Sequence, residues 1–174
     1  MANVYSIQTI KDTTEHTVIK LTAQFDGSGQ ESNSFRIVAN TLYGALDANN
    51  VPLYSALSAS NTAKPYYGLS LYRLWYDCSS NGDVELIWSA TTPVPLMWLN
   101  GNGEYDGAGN WVTIPNNAAG TAGCNGDIGV VTRGMAANDS YTIVVELRKD
   151  NAYYQRGQFN DPAAFNYTPY GLTP

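Results

Sequence analysis

The sequence predicts an all-β chain: a β-sandwich of jelly-roll winding, with long Gly/Asn-rich loops and an extended C-terminal arm. Three observations predict it. Eight or nine short segments alternate apolar and polar residues with period two. Glycine-rich turns punctuate them, with Asn-Gly pairs at 81–82, 100–101, 102–103 and 125–126. The last twenty-four residues carry six aromatics and three prolines and follow neither a helical nor a strand period.

The elements follow in order. Val4–Ile10 is a first short strand. His16–Asp26 is clearer: Ile19, Leu21, Ala23 and Phe25 face one way, and Lys20, Thr22 and Gln24 the other. Asp26-Gly-Ser-Gly29 ends it, and Phe35–Val38 is a third strand. Leu42–Lys64 is small and polar, a long loop with one helical turn near Thr41–Leu46. Leu69, Leu71, Arg73 and Trp75 then alternate with Ser70, Tyr72, Leu74 and Tyr76, so both faces of that strand carry bulk. Asn81-Gly82 is a strong hairpin signal between it and the next strand, where Val84, Leu86 and Trp88 alternate with Glu85, Ile87 and Ser89. Leu96–Leu99, Trp111–Ile114 and Ile128–Thr132 are shorter strands. Gly101–Gly126 is rich in Gly, Asn and Ala and predicts a large excursion. In the last strand Tyr141, Ile143, Val145 and Leu147 alternate with Thr142, Val144, Glu146 and Arg148. No internal repeat is visible. Residues 1–150 therefore form one sandwich domain and 151–174 an arm.

The arm reads unlike a disordered tail, which is poor in aromatics and rich in charge. After Asp150 it holds only two charges, Arg156 and Asp161, and its anchors are Tyr153, Tyr154, Phe159, Phe165, Tyr167 and Tyr170. Such a segment needs a surface to lie on, either its own domain or a neighbouring subunit. Tyr153, Tyr154, Arg156, Phe159, Phe165, Tyr167 and Tyr170 are thus the candidate partner-binding residues.

Composition narrows the function classes. Charged residues make up 14% of the chain, against about 25% in typical soluble domains. Polar but uncharged surfaces suit packed assemblies, because contact cores are depleted in charge. A net charge of −6 with nine dispersed basic residues argues against nucleic acid. No apolar run approaches the roughly 20 residues of a membrane span. The opening Met1-Ala-Asn-Val-Tyr5 leads straight into a strand without a secretory pattern, which predicts synthesis and folding in a cytoplasm. Without secretion the acceptor-like Asn138-Asp-Ser140 and Asn166-Tyr-Thr168 stay unglycosylated. Cys78 and Cys124 lack metal spacing and read as reduced core or turn residues, a bridge between them being the open alternative.

A catalytic set does not emerge. His16 is the one histidine and reads as a solvated strand-end residue. Asp26, Glu31, Asp47, Asp83, Glu104, Asp106, Asp127 and Asp139 sit mostly in turns, and nothing pairs two of them across a cleft. The best metal candidate, Asn102-Gly-Glu104-Tyr-Asp106-Gly107, partly resembles a calcium-loop opening. Thr113 stands where its closing glutamate belongs, so plain turn chemistry is the reading. The expectation is no enzyme, no metal and no cofactor. Of the four tryptophans, Trp75 and Trp88 lie at apolar positions of alternating strands and read as core. Trp98 and Trp111 flank a loop and are the candidate glycan platform of an alternative, carbohydrate-binding reading.

Three segments carry a resemblance. They are Ser6–Lys20 followed by Asp26-Gly-Ser-Gly-Gln-Glu-Ser-Asn33; Tyr72-Arg-Leu-Trp-Tyr-Asp77 followed by Val84–Thr92; and Gly126-Asp-Ile-Gly129 followed by Asp139–Lys149. In layout the chain resembles virion structural proteins of tailed bacteriophages, particularly those of marine bacteria and cyanobacteria. The resemblance implies a β-rich accessory protein on the capsid, or a component of the neck, tail or fibre base. A capsid decoration (cement) protein is the first expectation. It would lie on the virion surface against the major capsid protein or neighbouring virion subunits. A homo-oligomer is expected, with a trimer favoured because local three-fold axes are common docking points.

Overall fold

A computed structural model describes residues 2–45, 67–107 and 113–149. The period-two segments become strands: β1 (Val4–Asp12), β2 (His16–Gln24), β3 (Ser34–Ile37), β4 (Leu69–Cys78), β5 (Asp83–Trp88), β6 (Val94–Leu99), β7 (Asn102–Asp106), β8 (Ile114–Pro115), β9 (Ile128–Arg133) and β10 (Ser140–Lys149). A short 3-10 turn at Ala39–Thr41 lies slightly before the helical turn expected near Thr41–Leu46. The arm and Trp111 lie outside the described residues, as does most of the loop through Lys64.

The strands form two antiparallel sheets that pack as a sandwich. One runs β1-β2-β10-β4-β7, with β8 also paired to β4; the other runs β3-β9-β5-β6. The pairing is nested. β2 pairs β10, β3 pairs β9, β4 pairs β7, and β5 pairs β6. Between the sheets lie Ile19 and Leu21 of β2, Leu74 of β4 and Ile143, Val145 and Leu147 of β10. Opposite them lie Ile37, Val84, Leu86, Trp88, Ile128 and Val130. Each such side chain withdrawn from water contributes about 1.5–3 kcal/mol, and this apolar layer holds the sheets face to face.

Three expectations change at this level. The first concerns β4. Glu146 pairs with Arg73 while Leu147 pairs with Leu71, so Tyr72 is an extra residue with no counterpart on β10. The bulge reverses the strand's phase. Leu69 and Leu71 are buried before it, Leu74 and Cys78 after it. Trp75, read as core, is thereby turned outward and is 40% exposed.

The second concerns Asn81-Gly82. It makes a turn, with the Gly82 N–H donating to the Ser79 carbonyl at 3.4 Å, but not a hairpin. β4 and β5 lie in different sheets, and the turn carries the chain from one to the other. The glycine is needed for space: a Cβ there would lie 2.7 Å from Met135 Sδ and 2.8 Å from the Arg133 carbonyl oxygen.

The third concerns Gly101–Gly126. Part of this expected excursion belongs to the first sheet. β7 pairs with Arg73–Asp77 of β4, and β8 pairs with Ser70 and Leu71. Among the described residues, the stretch after β8 is irregular. Its turns are closed by N–H groups of Ala119, Thr121 and Cys124 donating to the carbonyls of Asn116, Ala118 and Thr121.

Candidate functional site

The chemistry-bearing residues separate into tied groups and one group that is not tied. Glu31 is tied. It is buried at the edge of the core, accepts from the Arg36 guanidinium (Nε, 2.8 Å) and from the Tyr141 hydroxyl (2.6 Å). Burial and the Glu31 carboxylate both push the Tyr141 phenol above its usual range. Both carboxylate oxygens are engaged, so Glu31 serves to join β3, β10 and the strand-entry loop. Arg36 also lies over the Tyr5 ring at 4.2 Å.

Asp127 is tied as well. It accepts from the Ala39 N–H at 2.7 Å, and Asn125 Nδ2 donates to its other oxygen at 2.7 Å. Burial raises its pKa, while these two donors work the other way. Among the described residues no group of three or more His, Cys, Asp and Glu is placed to hold a metal ion. Asn102–Asp106 forms β7, whose extended backbone sends Asn102, Glu104 and Asp106 to one face and cannot wrap them around a cation.

Cys78 and Cys124 are both free and buried. Burial pushes the Cys78 thiol up to about 12, helped by the neighbouring Asp77 carboxylate, and burial also raises Cys124. In the folded protein neither thiol should be alkylated by iodoacetamide at pH 8 on the timescale that labels both in guanidinium chloride. Mass spectrometry of the two reactions checks this, and rapid native labelling of Cys78 would show that the end of β4 opens.

The outer face of the first sheet is where untied groups collect. The pairing register and the pleat set out its side chains in rows across the strands. One row runs Val18, Glu146, Arg73, Asp106. The next runs Lys20, Val144, Trp75, Glu104, and the third Thr22, Thr142, Asp77, Asn102. The first row is joined by ion pairs. Arg73 lies 3.1 Å from Asp106 and 3.8 Å from Glu146, and His16 Nδ1 is 3.1 Å from the other Glu146 oxygen. His16 also sets its ring edge-on to Tyr72 at 5.0 Å. The strand-end histidine is thus part of a charge ladder. The second and third rows border a shallow groove, wide open to solvent, of about 550 Å³, lined by Trp75, Asp77, Asn102, Glu104, Thr142 and Val144 together with Tyr76 and Gly103.

Trp98 is placed on the opposite side of the molecule, on the outer face of the second sheet. It is 53% exposed, with the Arg133 guanidinium over its ring at 4.5 Å. Arg133 is in turn paired to the buried Glu85 at 2.9 Å. The structure therefore does not bring Trp75 and Trp98 together. Trp111 and the seven arm residues, Tyr153, Tyr154, Arg156, Phe159, Phe165, Tyr167 and Tyr170, lie outside the described residues.

The groove around Trp75 escaped sequence reasoning, yet a signal for it was present. The apolar residues of β4 switch parity, from Leu69 and Leu71 to Leu74 and Tyr76. A parity switch inside one strand marks a bulge and sends the next odd residue, Trp75, outward. The remaining open feature is β1. Among the described residues it is paired only to β2 and so lies at the sheet edge, where Val4, Ile7 and Ile10 are exposed. No protein-family model, curated protein or solved structure matches the chain.

Proposed function

We propose that this chain is a non-enzymatic structural protein of a tailed-phage virion, a decoration protein whose sandwich and C-terminal arm bind the assembled capsid. The observation that carries the reading is the open edge at β1. A nine-residue edge strand with exposed Val4, Ile7 and Ile10 is an invitation to pair with another chain. In a packed shell or a homo-oligomer that edge and those side chains find a neighbour, and three-fold symmetry would suit a local three-fold docking point.

Two further features support it. The nested pairing of β2–β10, β3–β9, β4–β7 and β5–β6 favours the jelly-roll winding, an architecture used by viral capsid and lectin domains. The low charge of the chain suits contact with like subunits. A protein of this kind stabilises a shell by binding only its assembled state, which shifts the equilibrium by mass action.

Quantitative mass spectrometry of purified particles tests the reading. Hundreds of copies are expected, on the outside of the capsid. About six or twelve copies would place the chain at the neck, tail or fibre base instead. Truncation after Asp150 separates the sandwich from the arm. The shortened chain should keep its β-sheet circular dichroism and lose shell binding. Full decoration by the truncated protein would show that the arm is not the anchor.

A further inference from the structure

The outer-face groove has a chemistry that the row beside it lacks. There Arg73 is paired with Asp106 and Glu146, and His16 approaches Glu146. One row on, Trp75 presents an indole 40% exposed, flanked across the strands by Glu104 on β7 and Val144 on β10. Asp77, Asn102 and Thr142 form the adjoining row. Among the described residues, the side chains of Asp77, Glu104, Asn102 and Thr142 make no hydrogen bond or ion pair within the chain.

The placement is held from beneath. Gly103 lies between Asn102 and Glu104 and faces inward, where a Cβ would meet the Tyr76 hydroxyl at 2.6 Å. Tyr76 pairs with Gly103 and packs against the core, so its ring covers the glycine and holds β7 flat against β4. Asn102 and Glu104 are thereby presented outward, Glu104 in the tryptophan's row and Asn102 in the next.

We propose that this groove binds the pyranose rings of a neutral glycan, with Trp75 as the stacking platform. The carboxylates of Glu104 and Asp77 accept hydrogen bonds from sugar hydroxyls, and Asn102 and Thr142 both donate and accept. The apolar C–H face of a pyranose lies on the indole, while its hydroxyls point to the rim. The groove volume lies within the range of small-ligand sites. The site is distinct from Trp98, whose ring carries a guanidinium on one face, and does not depend on where in a particle the chain sits.

Charge selects among occupants. Glu104 and Asp77 repel an anionic ligand. A cationic one finds only a single aromatic face rather than a cage. It also meets Lys20, which shares the Trp75 row across Val144; the Arg73 guanidinium in the row beside it is paired with Asp106 and Glu146. Two carboxylates, the Lys20 ammonium, an amide and a hydroxyl suit a neutral partner that offers many donors and acceptors. A polyol is that partner.

The test uses the full-length protein on an array of neutral oligosaccharides built from glucose, galactose, mannose and xylose, with hits measured by calorimetry. Binding to at least one series is expected. Trp75→Ala should weaken it by at least about tenfold, Glu104→Gln should weaken it severalfold, and Trp98→Ala should leave it unchanged. Trp75 is a surface residue, so the variant should keep the native circular dichroism. If it does not, the Glu104→Gln and Asp77→Asn arms, which change no volume, decide. Absence of binding to every neutral series overturns the proposal, as does undiminished binding by the groove variants. Binding to a choline or lysine-peptide probe in place of glycans overturns it too.

Discussion

Lys149→Met is expected to destabilise the folded chain by about 3–5 kcal/mol, a large part of a typical domain's stability. Lys149 is the last residue of β10, and its side chain is fully withdrawn from solvent. Its ammonium donates to the Asp12 carboxylate and, at 2.8 Å each, to the carbonyl oxygens of Thr13 and Tyr43. Those are the three donors an ammonium has. Its backbone N–H donates to the Glu15 carbonyl at 2.7 Å. Burial lowers the Lys149 pKa, and the Asp12 carboxylate pulls it back up, so desolvation is the larger effect and the charge is kept only because every donor is used. Methionine has the length to fill the space and nothing to donate. It leaves a carboxylate and two carbonyls facing it without their cation. Urea unfolding followed by tryptophan fluorescence measures the loss. Adding Asp12→Asn should recover part of it, because the stranded charge is removed and the amide oxygen can still accept from the Tyr43 N–H that Asp12 now receives at 2.8 Å. A single variant as stable as the parent would show that the buried ion pair is replaceable by packing alone. The position bears on the proposed function, since the chain passes into residues 150–174 directly from this anchor.

What the sequence disclosed and what it hid divide along one line, between local period and partner-dependent phase. β2 and β10 follow their alternation from end to end because they pair with each other without a register break, the bulges falling in their outer neighbours β1 and β4. β4 does not, because its phase is reset at Tyr72 by the pairing with β10, a strand some seventy residues later. That displacement moved Trp75 from the core to the surface, and with it the groove. β7 was read as loop because Asn, Gly and Asp are poor strand formers; it is a strand because β4 offers it an edge. Asn81-Gly82 reads as a hairpin on local grounds, and only the approach of Arg133 and Met135 reveals a crossing between sheets. Glu31 looked like turn chemistry because Tyr141, its partner, is 110 residues away. Long-range partners decide which polar residues are structural, and by subtraction which remain for a ligand.

Gly126→Ala is expected to cost about 4 kcal/mol or more, the range reached when a substitution has no room and no permitted backbone geometry. Gly126 has φ +94°, where a side chain is already strained by about 1–2 kcal/mol. A Cβ there would sit 2.2 Å from the Tyr67 carbonyl oxygen and 3.0 Å from its Cβ. The obstacle is backbone, so no rotamer change relieves it. Either the approach to β4 at Tyr67 or the approach to β9 at Ile128 has to move. Tyr67 is itself fixed, buried with its hydroxyl donating to the Ala45 carbonyl at 2.5 Å, and Asp127 next to Gly126 holds the Ala39 N–H. The collision is therefore shared among three segments that enter the core together. Gly120 supplies the control. Its φ is +82°, but nothing lies within 4 Å of its added Cβ, so Gly120→Ala should cost only the backbone strain, about 1–2 kcal/mol. The difference between the two variants in denaturant midpoint isolates the collision from the strain. Equal losses would mean that the Tyr67 segment yields freely and that this corner of the sandwich is not fixed. The expected inequality gives the Gly126-Asp-Ile-Gly129 segment a physical reason: its first glycine lets β9 start against the Tyr67 carbonyl, and Gly129 lets Phe35 and Ile87 close over the strand at about 3 Å from where a Cβ would stand. That segment is part of the resemblance to virion proteins, and its glycines answer to packing. Under the function proposed above, recognition then falls to the β1 edge, the Trp75 groove and the arm.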